Sequence, residues 1–259
     1  MNKGEETMLG YYNTLSAEVY DMDKYIGRSF GDIEFYLERL KACEGPILEP
    51  GVGTGRILVP LLEQGLKVEG FDLSAEMLNL CHKNCEKRGL HPKLFQGRME
   101  TFDLNSKYDA IIVPTGTFLL LYEREDSLKA LKNFYRHLSD GGRLLIDIFL
   151  QTDMEMDKVT TKTWETNDGD SITLETKTVG VDYIKQYTTL HNRYEKWKNG
   201  VLIETELERF PLRWYGIEEF KMLLESVGFE DIVLSADYKY GEYPTNSEQT
   251  ITFEATAKK

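Results

Sequence analysis

Two acids and a run of glycines are the residues of this chain whose types and spacing best suit the binding of a ligand. Glu49 comes two residues before Gly51, the first of three glycines at alternate positions, and Asp72 lies 21 residues beyond Gly51. Glycine allows positive φ and a close approach of the backbone to a ligand. An acid about 20 residues past such a turn suits the two hydroxyls of a ribose. The spacing therefore predicts a site for a ligand that carries a ribose.

The segments around this turn predict a strand followed by a helix. Ile47 and Leu48 form a short apolar run that ends at the glycines. Behind the glycines, apolar residues recur at helical spacing: Ile57, Leu58, Leu61 and Leu62. Such spacing indicates a helix, and a helix N-terminus behind a glycine turn favours negatively charged or polar ligand groups. A second apolar run, residues 68–71, carries Asp72 at its end.

Together these residues resemble motif I and its following acid in the class I S-adenosylmethionine-dependent methyltransferases. The residues that carry the resemblance are Glu49, Gly51, Gly53, Thr54, Gly55 and Asp72. It continues through the segments 72–78, 95–100, 108–113 and 138–146. The resemblance is close over roughly the first 150 residues and loose over roughly the last 45. It implies a methyltransferase with S-adenosyl-L-methionine as cofactor, acting on an N or O atom of a small molecule by in-line displacement.

The resemblance also assigns roles to individual residues. Gly51 and Gly53 would let the backbone approach the methionine part of the cofactor, Glu49 would bind its amino group, and Asp72 would hold the ribose. Met99 and Glu100 fall where family members contact adenine, but Arg98 stands where the usual acid would be and cannot accept a hydrogen bond. The full set of expected cofactor-binding residues is Tyr20, Arg28, Glu49, Gly51, Gly53, Asp72, Leu73, Met99, Glu100 and Pro114.

Two of these positions belong to the N-terminal segment, where family members use aromatic or basic side chains to reach the cofactor carboxylate. Tyr12, Tyr20 and Arg28 are the candidates, with surface packing as the alternative. No constellation of catalytic side chains is visible in the sequence. His191 is a weak candidate for a general base if its segment covers the site, and an ordinary strand histidine otherwise.

The order of strand-like and helix-like segments predicts an α/β fold, a doubly wound Rossmann-like sheet of seven mostly parallel strands. Residues 1–150 would supply N-terminal helices and the cofactor-binding core, with Ser16 as the N-cap of the first helix and Ser74 as that of a later one. Residues 151–214 lack crossover helices and predict two antiparallel hairpins on the main sheet, with turns at 167–169 and 199–200. In the family that the chain resembles, such an insert is often a lid or a dimerisation surface, and a purely structural sheet is the alternative. Residues 215–259 would complete the core.

Composition limits the classes of partner. The chain has 259 residues, 41% hydrophobic and 29% charged, with a net charge of −13. This charge disfavours a nucleic-acid substrate, and no apolar run is long enough to span a membrane. The cysteines, Cys43, Cys81 and Cys85, show no disulfide framework, and helix packing explains the last two better than metal binding does. We expect a cytoplasmic monomer or homodimer without a metal.

Tyrosine-rich segments favour one class of acceptor. Residues 11–25, the insert and residues 238–243 are rich in tyrosine, and the insert region adds Trp197 and Trp214. If these segments close over the site, their rings suit a flat or cationic small molecule, which favours an amine. The alternative is that they only shield the cofactor from water. Two other functions remain open, a cofactor-binding protein without activity and, less favoured because Arg56 breaks the Gly-x-Gly-x-x-Gly pattern, a nicotinamide-dependent oxidoreductase.

Overall fold

The computed structural model describes residues 12–166 and 168–259. Two helices come first, α1 (Thr14–Asp23) and α2 (Asp32–Leu40). The alternating part follows as β1 (Ile47–Pro50), α3 (Leu58–Glu63), β2 (Val68–Asp72), α4 (Ala75–Glu86), β3 (Leu94–Gln96), β4 (Tyr108–Val113), a 3₁₀ turn (Thr117–Leu120), α5 (Arg124–His137) and β5 (Leu138–Phe149). An insert contains β6 (Val159–Glu165), β7 (Ser171–Asp182), β8 (Tyr187–Lys198) and β9 (Val201–Arg213). The chain ends with α6 (Ile217–Val227), β10 (Phe229–Ala236) and β11 (Thr250–Ala257).

The main sheet has seven strands in the order β10-β11-β5-β4-β1-β2-β3. The strands from β5 to β3 run parallel, and β11 is antiparallel to both of its neighbours. The predicted doubly wound, mostly parallel sheet is therefore confirmed. Strand order reverses beside β1, which lies between β4 and β2. Ligands of open parallel sheets bind at the carboxyl ends of the strands at such a switch point.

Both faces of the sheet are covered, and this fixes the positions of the strand ends. Neighbouring residues of β1 belong to opposite cores: Leu48 packs with α5 and α6 residues, and Ile47 packs with α2, α3 and α4 residues. In the same way Ile111 and Ile112 of β4 divide between the two cores. Strands that are buried on both faces have few polar positions, so functional groups collect where the strands end.

The insert forms its own four-stranded antiparallel sheet in the order β6-β7-β8-β9. The two predicted hairpins are present, and Asn199 and Gly200 both adopt the positive φ that a tight β8–β9 turn requires, 49° and 76°. Asn167, in the other predicted turn, lies outside the described residues. The expectation that the hairpins lie on the main sheet was wrong. β7 and β8 pair with each other instead, so that the hairpins join into a separate sheet.

One predicted boundary differs from the structure. The first helix begins at Thr14, with Asn13 in the N-cap position, so Ser16 is not the cap. Ser74 does cap α4, since its Oγ accepts from the Met77 amide at 3.1 Å. Within the described residues, no helix combines the length and hydropathy needed to cross a membrane.

Candidate active site

A cavity of about 390 Å³ lies at the carboxyl ends of β1, β2 and β4. Seven of the expected cofactor-binding residues line it: Tyr20, Gly51, Gly53, Asp72, Leu73, Met99 and Glu100. Arg28, Glu49 and Pro114 do not. Residues from α1, the 3₁₀ turn and β9 complete the wall. The glycine turn, the acid after β2 and the N-terminal helix are thus brought together around one space.

The glycine turn lies against the 3₁₀ turn and α1. Gly51 adopts φ 73°, and a Cβ atom placed on it would come within 2.5 Å of Thr117 Cγ2. Gly53 adopts φ 57° and faces the ring of Tyr20, whose nearest atom would lie 3.7 Å from such a Cβ. Any side chain at these two positions would be strained and would fill part of the cavity. The turn therefore exposes bare backbone to whatever binds there.

Asp72 fixes this turn and still has acceptor capacity. Its Oδ2 accepts from the Gly53 amide at 2.9 Å, and its Oδ1 accepts from the Ser74 amide at 2.9 Å. Each carboxylate oxygen can accept a second hydrogen bond, and both belong to a residue that lines the cavity. Burial raises the pKa of Asp72, while the backbone donors act in the opposite direction.

Glu49 lies at the end of β1, just behind the cavity wall. It is 2% exposed, and its Oε2 has no hydrogen-bond partner among the described residues. Burial raises the pKa of Glu49 well above its ordinary value, and the charge of Arg56 opposes that shift. Arg56 itself is bound to Asp32 at 2.5 Å. A buried acceptor without a donor suits a ligand that brings one.

Lys24, which directly follows α1, lines the cavity where the sequence favoured Arg28. Arg28 forms an ion pair with Asp23 at 3.6 Å and lies over the ring of Phe30. Lys24 lines the cavity, and within the described chain no carboxylate lies within 4.0 Å of its ammonium group. Burial lowers the pKa of Lys24. The helical spacing of Tyr20 and Lys24 was a signal in the sequence, because residues four apart share a helix face.

Residues 97–100 form the wall beside β2 and β3. The Met99 carbonyl accepts from Asn133 Nδ2 at 3.2 Å, which fixes this segment to α5. Arg98 binds the Glu100 carboxylate, with 2.5 Å between Nε and Oε1. The arginine that replaces the family's acid therefore pairs with the neighbouring acid, which itself lines the cavity.

The segment after β4 is fixed by a buried carboxylate that no sequence pattern singles out. Thr115 adopts φ 55°, and its amide donates to Asp147 Oδ2 at 2.8 Å. Asp147 also accepts from three hydroxyl groups, those of Tyr36, Tyr238 and Thr252, at 2.9, 3.1 and 2.6 Å. Burial raises the pKa of Asp147 to about 6, against the effect of these donors. Thr115 lines the cavity, whereas the preceding Pro114 does not.

The remaining part of the wall is aromatic, apolar and acidic, and most of its residues were missed. The residues of this part are Tyr12, Leu120, Leu121, Tyr122, Glu123, Asp126, Phe149, Phe210 and Leu212. Two of the three tyrosine-rich segments contribute as expected, through Tyr12 and Tyr20 of the first and through β9 of the insert. The third tyrosine-rich segment, residues 238–243, does not line the cavity, because the Tyr238 hydroxyl donates to Asp147 and the Tyr243 hydroxyl donates to Glu218. Tyr11 lies outside the described residues.

Two further residues of the insert do not line the cavity but contact Tyr122, which does. Arg213 donates from a terminal nitrogen to the Tyr122 carbonyl at 2.9 Å, and the Arg209 guanidinium lies 5.5 Å from the centre of the Tyr122 ring. Trp197 and Trp214 are not part of the wall. Neither is His191, which pairs across the sheet with Lys177 and Arg209. The structure therefore gives no support to His191 as a base.

Comparisons with known proteins agree with this geometry. Residues 47–142 match a family model described as "Methyltransferase domain". A putative methyltransferase of Bacillus subtilis is 26% identical over 83% of this chain and 85% of its own length. A glycine/sarcosine N-methyltransferase of Aphanothece halophytica is 29% identical over 82% of this chain and 77% of its own. A SAM-bound amino pentose methyltransferase from Micromonospora echinaspora has the same fold, with a TM-score of 0.68, 20% identity, and coverage of 96% and 98%.

Proposed function

We propose that the chain is a class I S-adenosylmethionine-dependent methyltransferase whose methyl acceptor is the amine of a small molecule. The family's cofactor is S-adenosylmethionine. The proposal concerns the acceptor, the atom methylated and the roles of individual residues.

The residues of the cavity wall, together with Glu49 next to the glycine turn, fit the cofactor on three observations. Gly51 and Gly53 leave a cradle that a Cβ atom would fill. Glu49 has a buried oxygen without a donor in the described chain, which suits the cofactor's amino group. Asp72 has free acceptor capacity where the ribose hydroxyls would lie, and Lys24 offers a cation, unpaired among the described residues, where the carboxylate would lie.

Bound there, the cofactor supplies a methyl group on a sulfonium centre, which the lone pair of an acceptor displaces in line. The protein itself orients the acceptor and excludes water. Phe149 and Phe210 shield the cavity on the side of β5 and β9, and Tyr12 and Tyr20 cover it from the N-terminal side. Placing the reacting atoms about 3–3.5 Å apart in line can supply much of the acceleration. An amine attacks through its neutral form, so an acceptor that arrives as an ammonium ion must first give up a proton, for which water and the wall carboxylates of Glu123 and Asp126 are the available acceptors. None of the histidines that the structure describes lines the cavity.

One observation carries the choice of an amine. The part of the wall that we assign to the acceptor, the acceptor end, combines the rings of Tyr122, Phe149 and Phe210 with the carboxylates of Glu123 and Asp126, and Asp126 also pairs with Lys129 at 3.1 Å. Aromatic faces and carboxylates both attract an ammonium group. Of the cationic side chains in the described wall, Arg98 pairs with Glu100, and Lys24 lies over the ring of Tyr20. The net charge of −13 acts in the same direction at long range.

The names of two similar proteins support the same class of acceptor. One is described as a glycine/sarcosine N-methyltransferase and the other as an amino pentose methyltransferase. Amino acids and amino sugars are both small amines, although they differ in their other groups. Their shared amine is the part that we carry over to this chain.

Binding of amines and matched carboxylic acids to protein saturated with S-adenosylhomocysteine tests the proposal. We expect hydrophobic amines to bind more tightly than acids of the same shape in calorimetry. Charge removal in the double variant Glu123→Gln, Asp126→Asn should weaken amine binding roughly fivefold, about 1 kcal/mol for partly exposed charges. Glu125→Gln is the matched control, because Glu125 lies on the same helix and does not line the cavity. Preference for the acids, or equal effects of both variants, would contradict the proposal.

A further inference from the structure

Helix α1 lacks an N-terminal cap of its own. Asn13 occupies the N-cap position without a side-chain hydrogen bond, and the first turn contains no acid. The first amides of a helix have no partner within the helix and must find acceptors elsewhere. α1 also carries Tyr20, and Lys24 follows it directly, so its position decides how the cofactor end of the cavity is covered.

Glu206 of β9 supplies acceptors for these helix amides, and Glu208 of β9 binds the residue just before the N-cap. Glu206 accepts from the amides of Leu15 and Ser16, at 2.8 and 3.3 Å, and from Ser16 Oγ at 2.6 Å. Glu208 accepts from the Tyr12 amide at 2.8 Å. The other oxygen of Glu208 accepts from Asn192 Nδ2 at 2.9 Å, which fixes the carboxylate to β8. A carboxylate at a helix N-terminus is further favoured by the helix dipole.

Packing supports the same attachment. Leu15 and Val19 form a small buried cluster with Ile172 and Tyr194 of the insert sheet. Lys196 of β8 binds Glu18 with 2.9 Å between Nζ and Oε1. The hydrogen bonds of this segment to the core include that from Ser74 Oγ to the Tyr12 carbonyl at 2.7 Å and that from Asn84 to Asp21 at 2.8 Å. The apolar face at the start of α1 is therefore buried against the insert.

We propose that Glu206 and Glu208 are positioning residues through which the insert sheet holds α1 over the cofactor cavity. The inference rests on the cofactor site described above and goes beyond it. It gives strand β9 of the insert two roles. Glu206 and Glu208 hold α1 over the cofactor site, and Phe210 and Leu212 line the part of the cavity that we assign to the acceptor. Helix α1 is therefore attached to β9, and loss of this attachment should let S-adenosylhomocysteine dissociate faster.

The test compares three isosteric variants: Glu206→Gln, Glu208→Gln and, as control, Glu204→Gln. Glu204 lies on the same strand and is exposed, and in the described chain it accepts no hydrogen bond from α1. Stopped-flow release of S-adenosylhomocysteine should be roughly tenfold faster in the first two variants, which corresponds to about 1.4 kcal/mol. Hydrogen exchange of the α1 amides should rise in the same variants, while exchange in β4 stays as in the wild type.

Separate results would overturn the inference and the function. If the wild type binds S-adenosylhomocysteine but Glu206→Gln and Glu208→Gln release it at the wild-type rate, the positioning role is wrong. The same holds if Glu204→Gln accelerates release equally, or if the two variants lower only the unfolding midpoint. If the wild type does not bind S-adenosylhomocysteine at all, the cofactor assignment fails instead.

Discussion

At the scale of single residues, Asp72 both stabilises the glycine turn and lines the cavity. Its two oxygens hold the amides of Gly53 and Ser74, and it lines the cavity at the end of β2. Asp72→Asn keeps the shape but removes the charge and replaces one acceptor by a donor. We expect binding of S-adenosylhomocysteine to weaken by about 1.5–3 kcal/mol, the scale of a lost pair of charge-assisted hydrogen bonds. Calorimetry measures this, and an unchanged dissociation constant in a folded variant would refute the ribose role.

Lys24 and Arg28 offer a direct comparison between the sequence and the structure. The sequence favoured Arg28 for the cofactor carboxylate, whereas Lys24 is the cation of this segment that lines the cavity. Lys24→Ala should weaken S-adenosylhomocysteine binding about fivefold, and Arg28→Ala should change it less than about twofold. Isothermal titration of both variants decides between them. A larger loss in Arg28→Ala than in Lys24→Ala would return the role to Arg28.

Asp147 makes stability depend on pH. Burial raises the pKa of this carboxyl group from 3.8 to about 6, so folding favours its protonated form. The stability that it contributes is present below pH 3.8 and is lost as pH rises through 6. A shift of about two units corresponds to about 3 kcal/mol.

The variant Asp147→Asn has no such titration. The free energy of unfolding of the wild type minus that of the variant should therefore fall by about 3 kcal/mol between about pH 4 and pH 7. Urea titrations at a series of pH values measure this difference. A difference that is constant with pH would show that Asp147 is not buried as described.

At the scale of elements, the sequence predicts those features that depend on residues close together in the chain. Ser74 caps α4 as expected, because a helix cap depends on nearby residues. The start of α1 could not be predicted, since its acceptors come from Glu206, 191 residues away from Leu15. The positions of Phe149 and Phe210 around the cavity could not be predicted either, because they depend on how the two sheets pack against each other. The glycine turn and Asp72 were found because both lie within one βαβ unit.

The insert sheet is an element whose removal separates folding from function. None of the described strands β6 to β9 pairs with the main sheet. Replacement of residues 158–213 by a short flexible linker should leave a core that folds cooperatively. It should also expose Leu15 and Val19, free α1 and remove two residues of the acceptor wall, Phe210 and Leu212.

We therefore expect a core that still unfolds cooperatively, with turnover of the eventual acceptor reduced at least about tenfold. Circular dichroism and a methyl-transfer assay measure the two properties. Full turnover in the deleted protein would show that the insert is not part of the acceptor site.

At the scale of the whole molecule, charge and topology point to the same edge of the sheet. The parallel strands bring Gly51, Asp72 and Thr115 to one side of the sheet, where α1 and β9 cover them. The net charge of −13 favours the approach of cations to the protein as a whole. The central claim is that this edge holds S-adenosylmethionine and presents an amine to its methyl group.

Transfer of a labelled methyl group tests this claim most directly. The protein is incubated with methyl-labelled S-adenosylmethionine and matched sets of small molecules that differ only in an amine, a hydroxyl or a carboxyl group. Products are identified by mass spectrometry, and Asp72→Asn serves as the control for cofactor binding. We predict label on the nitrogen of amines and much less label in the control. Label on oxygen with unlabelled amines, or no transfer from a protein that binds the cofactor, would contradict the claim.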